Sequence, residues 1–258
     1  MADKYNLASV GWGYGPIMSD LNNDSWLDIY TTSGFVSRNR EKPDGWSCLW
    51  QGVVSQPFDR SCKIPPPGTP NEKLGEFWEE SPWTIASNEN LSAFERNRFY
   101  INFYGENFFD MSFVSGTDTD GDGRSVISAD LDNDGMNELI VRQVGGGPLK
   151  IFKNNFPKLN YIKISLRGVE SNSFGIGSKI EINAESQSIV REVYPINTYR
   201  SQSPSLAHFG LNEIKLIDNI KIYWPSGNTQ SFSNIKVNQH LIITENSQSY
   251  ETLTSSNN

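Results

Sequence analysis

Two stretches of the chain carry oxygen-bearing side chains at alternate positions. Residues 13–32 read GYGPIMSDLNNDSWLDIYTT, and residues 123–142 read GRSVISADLDNDGMNELIVR. In each, a Gly stands seven positions before the first Asp, and Asp-Leu-acceptor-Asn-Asp follows. The two stretches are offset by 110 residues (130 − 20). Donors recur at Asp20, Asn22, Asp24 and Asp28 in the first, and at Asp130, Asp132, Asp134 and Glu138 in the second. Donors spaced in this way can wrap one hard cation, which takes about six to eight oxygens. A backbone carbonyl, of Trp26 or of Met136, is the expected further ligand. The chemistry predicted is calcium binding at two sites. Gly135 stands where a sharp turn calls for positive φ, whereas the first stretch has Ser25 there. The 130–138 site is therefore expected to be the better one.

Charge supports this reading. The formal net charge is −8, and these two stretches hold three and four carboxylates. Like charges packed so closely repel unless a cation sits among them. Asp, Asn and Gly also make plain polar turns, but two such turns in register favour the cation. The flanks, IYTTSGF and LIVRQVG, are β-branched and aromatic. They predict strands and so exclude an EF-hand, which needs helices on both sides.

The elements that must hold these loops are strands throughout. From about Asn160 the segments YIKISLRG, SKIEINAE, SIVREVYP, NIKIYWPSG, TQSFSNI and HLIITEN alternate apolar and polar residues. Turn residues separate them every ~8–12 positions, as in a β-sandwich or barrel. The expected fold class is all-β. The acidic balance argues against non-specific nucleic-acid binding, which needs a basic surface. No run approaches the ~18–20 apolar residues of a transmembrane helix. The opening MADKYNLASVGWGYG has neither a basic nor an apolar leader region, so no signal peptide is read.

With these residues in view, the loops resemble FG-GAP or VCBS-type repeats, the calcium-bearing blades of integrin-like β-propellers. The stretch 96–124, with its aromatic, Asn, Gly and Phe order between Tyr100 and Phe108, resembles the blade part before such a loop. GGGPLKIFKNN (145–155) resembles the strand that closes a blade. Roughly 160–245 resembles the ASPIC/UnbV domain, which follows propeller repeats in proteins similar to cartilage acidic protein. Five pieces carry that resemblance in order: residues 171–177 (SNSFGIG), 199–203 (YRSQS), 208–211 (HFGL), 224–227 (WPSG) and 237–239 (VNQ). Asn212 departs from it, standing where the family usually has a second Gly.

The resemblance implies a partial β-propeller over 1–157, interrupted by an insertion at about 36–98. A small antiparallel β-sandwich or barrel-like domain follows over 158–248, then a disordered tail over 249–258. It implies a secreted, periplasmic or cell-surface protein whose loops meet a protein or glycan partner. Two blades do not close a propeller of about four to eight, so another chain, or blades upstream, is expected to complete it. The insertion holds Cys48 and Cys62. These stand as a disulfide closing about 15 residues, worth ~3 kcal/mol by chain entropy, as free thiols, or as metal ligands. Trp46, Trp50, Trp78 and Trp83 cluster there, either as a ligand platform or as a satellite core. Ser92 and Glu95 fit a capping box, which predicts a short helix.

The function expected is a non-catalytic, calcium-stabilised binding or adhesion module. The alternatives are an enzyme or accessory protein of small-molecule biosynthesis, and a purely structural assembly domain. The enzyme alternative turns on His208. No acid adjoins it and no G-x-S-x-G motif occurs, so a structural histidine beside Phe209 is the competing reading. His240 is expected at the surface. Trp224, before Pro225, is expected to end an edge strand.

Overall fold

The β-branched and aromatic runs form strands, and strands supply nearly all the regular structure. The computed structural model describes residues 3–5, 7, 11–41, 90, 92–144, 147–194 and 198–253. The expectations placed on Cys48, Cys62, Trp46, Trp50, Trp78 and Trp83 lie outside the described residues.

The first half contains two antiparallel sheets. One has the order β1 (Gly13–Ser19), β2 (Asp28–Ser33), β3 (Arg98–Phe103), β4 (Asn107–Asp110). After a single helical turn, α1 (Ser112–Ser115), the other runs β5 (Gly123–Ala129), β6 (Glu138–Gln143), β7 (Lys150–Phe152). Each acidic stretch links the first two strands of its sheet, so the repeat in sequence is a repeat in structure. β5 packs against β1 and β2. Ile17, Tyr30, Phe99, Val126, Leu139 and Val141 form the shared core. The second sheet is one strand short of the first, and no described strand lies on the outer edge of β7.

The second half is a sandwich of two four-stranded sheets. Its strands are β8 (Asn160–Arg167), β9 (Lys179–Ala184), β10 (Gln187–Glu192), β11 (Leu206–Asn212), β12 (Leu216–Tyr223), β13 (Thr229–Lys236), β14 (Gln239–Thr244) and β15 (Tyr250–Thr252). One sheet has the order β11-β8-β14-β15 and the other β10-β9-β12-β13. Strand alternation turns Ile162 and Ile164 of β8 and Phe209 of β11 toward Ile180, Ile182, Ile220 and Ile222 of the facing sheet. β14 pairs with β8 in parallel, and the other described pairs are antiparallel. The all-β expectation holds, with several sheets of which none is closed.

Four local expectations are corrected. Tyr250–Thr252 pairs with β14, so order continues into the stretch expected to be a disordered tail. Strand pairing satisfies its backbone groups, which the polar composition of the tail did not reveal. Residues 92–94 form a turn and not a helix, with Ser92 and Phe94 at positive φ. Glu95 turns away from capping, and its carboxylate accepts from the Trp12 amide and the Ser33 hydroxyl. Trp224 follows β12, which lies between β9 and β13 and is no edge strand. His240 lies within β14, half-buried, with its Nε2 2.8 Å from Ser165 Oγ.

Asn212 explains itself. Its φ is 50°, a left-handed conformation that Asn tolerates better than most residues do. It therefore serves where a Gly is usual.

Ile220 sits at the centre of the sandwich, opposite Ile182 on one neighbouring strand and Phe232 on the other. It is fully buried. Ile220→Ala is expected to cost ~2–5 kcal/mol through lost burial and the cavity left behind, read as a lowered denaturant midpoint.

Candidate metal centre

The two acidic loops are wired alike, bond for bond. The Leu21 amide donates to Asp28 Oδ2 at 3.0 Å, and the Leu131 amide to Glu138 Oε2 at 2.9 Å. The amides of Asp24 and Ser25 donate to Asp20 at 3.1 and 2.9 Å. Those of Asp134 and Gly135 donate to Asp130 at 3.1 and 2.8 Å. The Trp26 amide reaches Asp24 at 2.8 Å, and the Met136 amide reaches Asp134 at 2.9 Å. Backbone angles repeat too: φ is 59° and 58° at Asn23 and Asn133, and 83° and 91° at Ser25 and Gly135. Ser25 adopts a conformation that Gly holds without strain.

The loops differ in what their side chains leave available. In the second, oxygens of Asp130, Asp132 and Glu138 lie within 4.8 Å of one another. That spacing suits three ligands around one hard cation. In the first, the Asn22 amide donates to Asp24 Oδ2 at 2.9 Å. Both oxygens of Asp28 accept amides, from Leu21 and, at 2.9 Å, from Asn102. Glu138 is used in the same way but more loosely, its Oε1 accepting the Asn154 amide at 3.4 Å. Burial, then the adjacent Asp24 carboxylate, pushes Asp20 up to about 7, against Arg191 and the loop amides. Burial also pushes Asp28 up to about 7 against the amides of Asn102 and Leu21.

Trp26 and Met136, the expected carbonyl donors, have unlike surroundings. Trp26 is partly exposed and covers Gly105, where a Cβ would meet its ring at 2.5 Å. Met136 is buried, and its sulfur lies 3.1 Å from the Asn23 amide nitrogen.

Each aspartate of the second loop also has a lysine. Lys153 lies 3.1 Å from Asp132, Lys158 lies 3.1 Å from Asp134, and Lys163 bonds Asp130. The first two lysines are 66% and 68% exposed, so a divalent ion would displace them at little cost. Lys163 is 7% exposed and its partner 2%. It approaches from β8, on the face of the strand turned away from the sandwich core, where alternation alone predicts a solvated side chain. The acidic loop covers it.

The first loop docks on the same face of the sandwich. The Gly210 amide donates to Asp20 Oδ2 at 3.1 Å, and Ser25 Oγ donates to the Gly210 carbonyl at 2.9 Å. The Asn212 amide donates to Asn23 O at 2.9 Å. Any Cβ at Gly210 would lie 2.2 Å from Asp20 Oδ2 and 2.4 Å from the Asn23 backbone. A Cβ at Gly135 would meet the Tyr161 ring at 1.9 Å. These glycines set how closely the modules approach.

His208 belongs to this contact. Its Nε2 lies 2.7 Å from Asn23 Oδ1, and its ring stacks on Tyr161. Burial, then Lys163 and Arg191, brings it down to about 3, so the ring is neutral at pH 7. Tyr199 packs on Tyr14, with rings 5.4 Å apart, and Arg200 lies over Tyr199.

Two further short motifs meet at Glu245, a residue that sequence reasoning passed over. Glu245 is buried. It accepts the amides of Val169, Glu170 and Ser171, each at 2.8 Å, and the hydroxyls of Ser171 and Ser226. It ties the SNSFGIG loop to the Trp-Pro-Ser-Gly turn. Burial alone would raise its carboxyl, but the amides of Ser171 and Val169 and the two hydroxyls outweigh that and hold it at about 2. The signal for it was a lone acid flanked by polar turns, which nothing local distinguishes from a surface glutamate.

Residues 168–250 match the family model described as ASPIC and UnbV. The match leaves out β8, covers β9 to β14 and reaches the first residue of β15, and it contains all five expected motifs whole along with Glu245. A search of curated proteins gives no match for the chain.

Because the folded pKa of Glu245 lies below its ordinary value of 4.5, its contribution is fully present above that value and is lost as pH falls toward 2. Glu245→Gln is expected to lower the melting temperature at pH 7 by several degrees. The difference from wild type should narrow as pH falls from 5 to about 2. A constant difference across that range, in parallel melts, would count against this role.

Proposed function

We propose that the chain is a non-catalytic, calcium-stabilised binding module, with the 130–138 loop as its principal cation site. The observation that carries this is the convergence of Asp130, Asp132 and Glu138 oxygens within 4.8 Å, on a loop that Gly135 allows to turn. The Met136 carbonyl and water would complete the coordination. The first loop is the weaker partner, since Asn22 and the amides around Asp28 already use much of its capacity. Calcium here is structural: it offsets the repulsion among the loop carboxylates and stiffens a surface that also seats the second module. In this reading the first half is a piece of an FG-GAP/VCBS-type propeller. The protein works outside the cytosol, secreted, periplasmic or at the cell surface, where millimolar calcium suits such sites, and its loops meet a protein or glycan.

A second reading concerns assembly. Among the described residues the sheet β5-β6-β7 has no counterpart of β4, and Ile151 on β7 is exposed. Another chain supplying a strand or further blades would cover this edge.

The test compares thermal melts in calcium and in a chelator. Calcium at ~100 times its Kd stabilises the folded state by about 2.7 kcal/mol per site, so the melting temperature rises. Asp130→Ala should abolish most of that rise, and Asp20→Ala should leave most of it. Coincident wild-type melts with and without calcium would overturn the proposal.

A further inference from the structure

A cleft of about 510 Å³ lies within the first module, bordered by α1 and β7. That is within the ~300–1,000 Å³ range of small-molecule sites. Phe99 and Leu139, both buried, form its floor. Met111 and Val114 line it from α1 and its start, and Ile151 and Phe152 line it from β7. Val114 is 76% exposed and Ile151 57%, so both elements present apolar surface that a ligand can reach. Large apolar side chains left open to water beside one cleft mark a binding surface.

The polar lining narrows what can enter. Ser115 Oγ lies 2.9 Å from Thr117 Oγ1, and the Asn154 amide donates to the Leu21 and Asn137 carbonyls at 2.6 and 2.9 Å. These groups are already partnered. Among the described residues that line the cleft, Lys153 alone is charged. Its side chain is 66% exposed, and its ammonium donates to Asp132 at 3.1 Å. An ammonium carries three hydrogens, so two remain for a ligand.

We propose that this cleft binds a linear amphiphile of the carboxylate class, its apolar chain against Met111, Val114 and Ile151 and its carboxylate on the Lys153 ammonium. Apolar chain and apolar wall leave water together, which drives the contact. An anionic head gains the lysine, and a cationic head is repelled by it. A polyhydroxyl ligand would bring more hydrogen-bonding groups than this lining can satisfy, at a cost for each one left over. Asp132 competes for the same ammonium, but an exposed pair of this kind is weak. Because Asp132 also belongs to the cation site, the test is run in chelator, where its outcome is independent of the cation reading.

The experiment titrates hexanoate, octanoate and decanoate separately into isotope-labelled full-length chain. NMR follows the methyl groups of Met111, Val114 and Ile151. These should shift saturably, and each two-carbon step should tighten binding about tenfold until the cleft is full. Octylammonium should bind more weakly than octanoate. Lys153→Gln should weaken octanoate several-fold and leave octanol unchanged. Asp132→Asn, which frees the lysine with no metal present, should tighten octanoate. Val114→Glu, at an exposed position, should weaken it with an unchanged melt. The proposal is overturned if octanoate moves none of these methyl groups, or if octylammonium binds as tightly. It is equally overturned if Lys153→Gln and Val114→Glu both bind octanoate like wild type.

Discussion

The contact between Lys163 and Asp130 governs how the two halves of the chain meet. Both groups are almost wholly buried, so each has lost most of its hydration. Such a pair contributes little net stability, because desolvation offsets the attraction. Its effect is on specificity. An ammonium buried without its carboxylate, or the reverse, costs ~3–5 kcal/mol, so arrangements that separate them are strongly disfavoured. The outward face of β8 can therefore receive the acidic loop in one register only.

Around that pair the interface is built from backbone. Gly210 presents its amide to Asp20 and its carbonyl to Ser25. Asn212 extends the pairing to Asn23. His208, Gly210 and Asn212 of β11 all meet the first loop, and Arg191 of β10 adds a bond from Nη2 to the Ser25 carbonyl at 2.9 Å, while Phe209 and Leu211 fill the core. A second contact lies further along. Thr198 Oγ1 donates to the Gly15 carbonyl at 2.6 Å, and Ser201 Oγ donates to the Val126 carbonyl at 2.9 Å. The short motifs of the second half thus divide between joining the modules and bracing turns. Asn238 does the latter, pairing with both the amide and the carbonyl of Tyr161.

Much of this was legible in the residues. The strands, the sandwich core and the likeness of the two acidic loops follow from local alternation and spacing, which need no knowledge of distant partners. The turn at Gly135 followed from residue type in the same way. What was hidden is long-range. Lys163 reads as a solvated lysine because its strand alternates; only the loop laid over it makes it buried. Glu245 reads as a surface acid because its donors sit about 75 residues upstream. The tail read as disordered because β15 finds its partner by pairing with β14 and buries no side chain of its own. The propeller reading of the first half rests on repeat spacing and not on closure.

The parallel ladder between β8 and β14 has a temporal consequence. β8 lies between β11 and β14, and Lys163 stands opposite His240. During synthesis β8 emerges long before residues 239–244 exist, so one of its edges waits unpaired until they follow. Non-local pairing of this kind is slow to nucleate. The sandwich therefore closes only once β14 has joined β8.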